Sequence, residues 1–321
     1  MAASYSGSGV ANDVTAVIEQ ITSRMDEIVM KETVTAGMTA SQDILDAFGR
    51  SATAKLATVT TAGLGNYDAV KGYPMGQTVL KWETYTLAYD RGIKIDIDRK
   101  DKLQTDGLLS TAAAAAALMR QQVVPEVDAT RISQAVKKTK AADASHVVEN
   151  QDITTANILS KIGEGLDMVY DDYGVDSGLT IYINNSLRNV LRGSTEVTKV
   201  KQVSGVPALD LTTQSIDGNT IQWVPSFRMG TEYVYGEPNA SGVGGGISKA
   251  ASTADINFLI VAPGCVQGVT IIGEPKYIEA SVNQQKDADS LMYRVFHDAI
   301  VEKNSGAAGI YASVGTTPSS S

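Results

Sequence analysis

The sequence predicts an α+β fold in which some elements extend beyond any core of their own. Three observations predict it. Residues 55–98 are β-prone around a glycine-rich centre, residues 107–141 read as one long alanine-rich helix, and from Ile153 onward short helices alternate with short strands. The chain has 321 residues, enough for one large domain or two ordinary ones.

The first fifty residues do not form a domain by themselves. Val14, Val17, Ile18, Ile21, Met25 and Ile28 recur at helical spacing after Asn12 or Asp13 as N-cap, which gives one amphipathic helix with nothing nearby to cover its stripe. Such a helix packs either on its own domain or on neighbouring subunits. Leu56 to Thr61 then reads as a strand, and Gly63, Gly65, Gly72, Pro74 and Gly76 mark a mobile tip. A second extended run goes from Gln77 to Asp98 and ends in strict alternation, Ile93, Ile95 and Ile97 against Lys94, Asp96 and Asp98. A hairpin of that length is too long for a compact core and is expected to project.

The helix that follows holds six consecutive alanines, Ala112 to Ala117, the residue of highest helix propensity and one that lets another backbone approach closely. Pro125 is expected to kink or split it near Val123-Val124. From Ile153 onward, Ile158, Leu159, Ile162, Leu166, Val169 and Tyr170 mark a helix, and Leu179 to Ile183 a buried strand. Asn185-Ser186 is expected to cap a short helix ending at Arg192. Asp217-Gly218 is a hairpin signal between Ile216 and Ile221, and Ser241 to Lys249 reads as a glycine-rich loop. Phe258 to Val261 and Val269 to Ile272 read as central strands. Tyr277 to Val282 and Ser290 to Val301 read as alternating strands, and Gly309 to Val314 closes the fold ahead of a low-complexity tail.

Composition excludes several function classes. Hydrophobic residues make up 43% and charged residues 20%, as in ordinary folded proteins, and no run of 18 apolar residues offers a membrane-spanning helix. Met1 to Gly9 has neither the charged nor the apolar region of a signal peptide. The single cysteine, Cys265, has no internal partner, reads as a small buried hydrophobe and fits a reducing cytoplasm. Net charge is −9 and the basic residues are scattered, so the chain lacks the basic face that phosphate binding rewards. Lys137-Lys138-Thr139-Lys140 reads as a solvated helix end.

Catalytic and metal-binding patterns are equally sparse, and the reading is of no enzyme, no cofactor and no metal. His146 and His297, the two histidines, lack metal-ligand spacing, and Gly242-Val243-Gly244-Gly245-Gly246 matches no phosphate-binding loop. Asp96, Asp98 and Asp101 have part of the spacing of a calcium loop, but Lys100 and Lys102 replace its required ligand and glycine. Asp171-Asp172 closes a helix against its dipole, which suggests a partner across an interface.

Three strings carry a family resemblance. They are Asp90-Arg91-Gly92-Ile93-Lys94-Ile95-Asp96-Ile97-Asp98-Arg99-Lys100-Asp101; Val123-Val124-Pro125-Glu126-Val127-Asp128-Ala129-Thr130-Arg131; and Asp287-Ala288-Asp289 with Tyr293-Arg294-Val295-Phe296-His297-Asp298-Ala299-Ile300-Val301, closing in Gly309-Ile310-Tyr311-Ala312. In this order the chain resembles the major capsid proteins of tailed bacteriophages of the Hong Kong 97 type. The resemblance implies an N-arm (1–54), an extended E-loop β-hairpin (55–98) and a P-domain with a long spine helix (99–150). It further implies an α/β A-domain (151–273) and P-domain return strands with a C-terminal tail (274–321).

The implied function is a head protein of the virion, assembled in the bacterial host cytoplasm into hexamers and pentamers of an icosahedral shell. That shell encloses double-stranded DNA without specific binding and without a membrane. Many relatives carry a long cleaved scaffolding segment for which some fifty N-terminal residues leave no room. The resemblance therefore implies a separate scaffolding protein or an already processed chain, and Met1 favours the former. A portal and decoration proteins are further implied partners. Some relatives join an E-loop Lys to a neighbour's Asn; Lys71 and Lys81 are the candidate donors here and Asn304 the acceptor. The expected intersubunit contacts are Val14, Ile18, Ile21 and Met25 in the arm and Tyr67, Tyr73, Met75 and Trp82 in the hairpin. The alternatives are an encapsulin-like compartment around a cargo enzyme and, from another class, a soluble oligomeric enzyme.

Overall fold

The computed structural model describes residues 28, 32–49, 51–70, 72–104, 111–174, 178–194, 215–239, 244–273, 275–301 and 306–316. Val14, Ile18, Ile21, Met25, Lys71 and Asn304 lie outside the described residues, as do Gly242 and Val243.

The strands in chain order are β1 (Thr53–Thr61), β2 (Thr78–Thr86), β3 (Tyr89–Asp98), β4 (Val147–Val148), β5 (Thr180–Asn184), β6 (Ser215–Ile216) and β7 (Asn219–Val224). They continue with β8 (Tyr233–Pro238), β9 (Gly244–Lys249), β10 (Ile256–Val261), β11 (Val266–Ile272), β12 (Lys276–Ile278), β13 (Ala288–Val301) and β14 (Ile310–Val314). They fall into four sheets. A mixed six-stranded sheet has the order β4-β14-β10-β5-β7-β6. In a second, four-stranded sheet, β3 pairs along one edge of β13 while β11 and β12 share the other. β1 with β2 and β8 with β9 form separate two-stranded ribbons.

The six-stranded sheet carries the main core. Helix Ile158–Tyr173 lies on it through Ile158, Ile162, Leu166 and Val169, packing with Phe258, Ile260 and Tyr311. Gly165 permits the approach, since a Cβ there would sit 2.6 Å from the Tyr311 ring. The expected turn at Asp217-Gly218 is present, with φ of 49° and 79°, the pair of left-handed residues that a tight hairpin turn requires. The cap of the short helix Arg188–Arg192 and its lead-in falls one residue earlier than expected: Asn184 Oδ1 accepts from Ser186 N at 3.0 Å.

The spine helix runs from Thr111 through Ala142 with one interruption. Residues Met119–Val123 form a π turn, and the α-helix resumes at Val124. Pro125 explains the defect, because it offers no N–H to the preceding turn and its ring crowds the carbonyl there. The helix is wedged between sheets. Met119, Val123 and Val127 pack on Leu291, Tyr293 and Val295 of β13, whereas Ile132, Ala135 and Val136 belong to the core of the six-stranded sheet.

Several expectations are corrected. The extended run 77–98 is two strands, since β3 leaves the ribbon after Leu87-Ala88 and joins β13. Phe258 to Val261 is central, but Val269 to Ile272 belongs to β11, at an edge of the other sheet. Gly244–Lys249, expected as loop, is strand β9 paired with β8. The Tyr277 to Val282 strand shrinks to Lys276–Ile278. β13 does not alternate, because both its faces are covered: Leu291, Tyr293 and Val295 meet the spine helix, while Phe296 and Ile300 meet a third cluster with Phe48, Ala54 and Leu87. The helix Gln42–Phe48, absent from the sequence reading, supplies Phe48 to that cluster.

Candidate assembly surfaces

The β1–β2 ribbon pairs in unbroken register from Thr53↔Thr86 to Thr61↔Thr78. Directly opposed residues share a face, so Ala54, Leu56, Thr58 and Thr60 lie with Tyr85, Glu83, Lys81 and Val79. Only the base of that face is buried, where Ala54 and Tyr85 join Phe48, Leu87, Val269 and Ile300. The opposite face pairs Ala57 with Trp82 and Val59 with Leu80, and all four are exposed. It is an apolar surface left exposed among the described residues.

The tip extends this surplus. Asp68 and Gly72 exchange backbone hydrogen bonds of 3.3 and 2.7 Å, Val70 N donates to Asp68 Oδ1, and the rings of Tyr67 and Tyr73 lie 5.0 Å apart. Nine of the twelve large hydrophobic residues exposed among the described residues belong to this one hairpin. Tyr67 and Trp82 are 62% exposed, Tyr73 87% and Met75 103%. Leu64, Val70, Val59 and Leu80 belong with them, although the sequence reading omitted them. The signal for Val59 and Leu80 was the register, which a sixteen-residue irregular tip (62–77) hides from sequence. Lys81 pairs with Glu83 at 3.5 Å.

A second surface feature is the attachment of the N-terminal segment. Asp128, fully buried on the spine helix, accepts from the backbone N–H groups of Val34 and Thr35 at 3.1 Å, from Thr35 Oγ1 at 2.6 Å and from Arg228 Nη1 at 2.6 Å. Arg131, one turn on, donates to Thr35 O, Thr39 Oγ1, Gly268 O and Thr270 Oγ1. Burial lowers the Arg131 pKa, opposed by the nearby Asp128 carboxylate. Glu32 pairs with Arg120 at 2.6 Å, so residues 32–35 are pinned along the spine helix.

Between the spine helix, β3 and the β8–β9 ribbon lies a cleft of about 630 Å³. Its polar wall is already engaged. Arg91 Nε donates to Glu126 Oε1 at 2.9 Å, and Arg91 Nη2 to Gly236 O and Gly246 O, while His297 Nε2 lies 3.4 Å from Glu126. Tyr235 bonds Thr130 at 2.8 Å, and burial raises its pKa. His297 stacks on Tyr89 and is buried, a packed residue that holds the spine helix to β13. Cys265 is buried.

Other charged groups are also engaged internally. Asp172, expected to face an interface, meets His146 Nε2 at 3.0 Å within the chain. Of the lysines expected at a solvated helix end, Lys138 reaches the buried Asp298 at 3.2 Å, while Lys140 stays exposed and pairs with Glu149 at 2.6 Å. Asp96 accepts from Ser290 and Lys286, which lowers its pKa to about 2. Among the described residues no cluster of three or more His, Cys, Asp or Glu could hold a metal ion, and no helix is long and apolar enough to cross a membrane.

No protein-family model matches the sequence, and no curated relative matches it. Solved structures do match. One from Mycobacterium phage Che8 superposes with a TM-score of 0.59 at 12% identity, covering 85% of this chain and 88% of that one. The asymmetric unit of the bacteriophage PhiM1 mature capsid gives 0.57 at 14% identity, over 84% and 83%. A virus-like particle from Pyrococcus furiosus gives 0.50 at 11% identity, over 92% and 98%. At such identities the likeness speaks for the fold, and nearly the whole chain takes part in it: this chain has the mixed α and β fold of phage capsid proteins.

Proposed function

We propose that this chain is a major capsid protein that assembles as hexamers and pentamers into an icosahedral shell around packaged double-stranded DNA. One observation carries the reading: within a capsid-type fold, the projecting β1–β2 hairpin leaves Ala57, Val59, Leu80 and Trp82 uncovered on one face. Monomeric proteins rarely expose contiguous apolar patches beyond a few hundred Å², and larger ones mark interaction surfaces. Burial between copies contributes about 25 cal/mol per Å², and weak contacts repeated under closed symmetry sum to a strong shell.

In this reading residues 1–54 act as the N-arm, 55–98 as the E-loop with its base strand, and 99–150 with 274–321 as the P-domain. Residues 151–273 act as the A-domain. Tyr67, Tyr73, Met75 and Trp82 contact neighbours. The role is structural rather than catalytic, and a separate scaffolding protein, a portal and decoration proteins are the partners. Assembly takes place in the host cytoplasm and the product is a virion component.

Negative-stain electron microscopy of the chain, expressed alone and beside its neighbouring genes, tests this. Closed particles or tubes are expected from the full chain. Deleting Gly65 to Met75 is expected to leave folded monomer or capsomer without closed shells. Normal shells from that deletion would sink the hairpin's assigned role. An encapsulin-like compartment is the second reading, favoured by the likeness to the Pyrococcus furiosus particle; a specific enzyme co-purifying inside the particles would select it.

A further inference from the structure

The four-stranded sheet ends at β3. Among the described residues β3 pairs with β13 alone, in a ladder that runs without a bulge from Ala288↔Asp98 to His297↔Tyr89. Two flanking hydrogen bonds tell which backbone groups this ladder uses. Arg99 N donates to Asp287 O, and Arg294 O accepts from Gly273 N on the side of β13 away from β3. Bonded and non-bonded pairs alternate in an antiparallel ladder. Ile93, Ile95 and Ile97 therefore direct their backbone groups to β13, while Gly92, Lys94 and Asp96 direct theirs outward. Among the described residues these outward groups have no partner, and Gly92 and Lys94 are exposed. Open edges are ordinarily blunted by proline, a bulge or a free charge. This one has no proline and no bulge, and Lys94 is neutralised by Asp96 at 3.3 Å.

The same edge opens onto the cleft of about 630 Å³, a volume in the range of built ligand sites. Asp90 to Lys94 form its rim, Leu118, Val123 and Val127 of the spine helix its apolar wall, and Gly236 and Gly246 of the β8–β9 ribbon leave room opposite. Arg91 closes one end by donating to Gly236 O and Gly246 O. Directly opposed residues of a ladder share a face. In a strand added to this edge, residues opposite Ile93, Ile95 and Ile97 point toward the spine helix, and those opposite Gly92, Lys94 and Asp96 toward the charged face. Asp90, Arg91, Lys94 and Glu126 all have ionic partners within the chain. Glu237, exposed at the end that Arg91 closes, has none among the described residues.

We propose that the open edge of β3 binds an extended peptide segment of another protein, added as a further antiparallel strand with apolar side chains at alternate positions and a basic residue at its C-terminal end. Antiparallel addition continues the pattern of β3, β11, β12 and β13 and brings the C-terminal end of the peptide beside Glu237. Backbone pairing with Gly92, Lys94 and Asp96 supplies the affinity, and the apolar wall and Glu237 select the sequence. The proposal holds whether or not the chain builds shells.

The test uses a labelled, end-blocked hexapeptide, Val-Thr-Val-Thr-Val-Lys, and fluorescence anisotropy with the full chain. Saturable binding is expected, with the threonines opposite Asp96 and Lys94 turning their amides to the edge. Methylating those two amide nitrogens is expected to weaken binding about tenfold or more, whereas methylating the amides of the second and third valines, which face away, leaves it unchanged. Lys94→Pro removes one outward N–H without touching the ladder to β13 and is expected to weaken binding several-fold. Glu237→Gln is expected to do the same for this peptide and not for one ending in Gln. No binding, or equal losses from the two methylated sets, overturns the proposal. So does self-association of the chain that Lys94→Pro abolishes while the peptide does not bind, which would assign the edge to a second copy.

Discussion

The β1–β2 ribbon and β13 have similar strand chemistry and opposite surroundings. Of the ribbon's strand residues only Ala54 is buried, whereas β13 is buried along almost its whole length. β13 has the spine helix on one face and helix Gln42–Phe48 with the hairpin base on the other. The ribbon has its own tip and solvent. A two-stranded ribbon is at best marginally stable alone, and among the described residues this one is held by its base. Under the proposed function, the difference separates what folds the subunit from what joins subunits.

The comparison can be broken most forcefully on the buried side. Asp128→Ala deprives Arg228 of its ion-pair partner and the buried Arg131 of the nearby carboxylate, and releases residues 34 and 35. A loss on the order of 3–5 kcal/mol is expected by chemical denaturation. Leu291→Ala in β13, 1% exposed, is expected to cost about 2–5 kcal/mol by the same measurement. On the ribbon, Trp82→Ser is expected to change monomer stability by no more than about 0.5 kcal/mol while lowering particle yield in sedimentation. A destabilised monomer there would place the ribbon inside the subunit's own core.

The smallest effect is acid-dependent. Hydrogen bonds from Ser290 and Lys286 depress the Asp96 carboxyl from its ordinary 3.8 to about 2. A depressed folded-state pKa gives stability that is present above the unfolded value and lost as pH falls through the folded one. Asp96→Asn should therefore lower stability in the neutral range and flatten the curve between about pH 4 and 2, so that the two chains converge at acid pH. A mutant curve parallel to that of the parent chain would remove Asp96 from the acid limb.

What was legible in the sequence was local. The Asp217-Gly218 turn, the helix defect ahead of Pro125, the alanine-rich spine and the projecting hairpin all rest on signals a few residues long. The break at Leu87-Ala88 carries no Gly or Pro, so nothing marked the point where β3 changes sheets. Gly244 to Gly246 looked like loop because glycine disfavours strands, yet pairing with β8 overrode that preference. The Asp128 clamp joins residues 93 apart, and such pairings leave no periodic trace. Within the hairpin, Tyr67, Tyr73, Met75 and Trp82 could be named as exposed apolar residues, but the uncovered face of Val59 and Leu80 needed the register.

Hydrogen exchange on the free subunit and on assembled particles tests the central claim most directly. The account predicts that residues 53–86 exchange quickly in the free subunit and slowly in particles, while residues 288–301 are protected in both. Equal protection of the hairpin in the two states would mean that it is complete within one chain, and would contradict its role as the element that joins subunits.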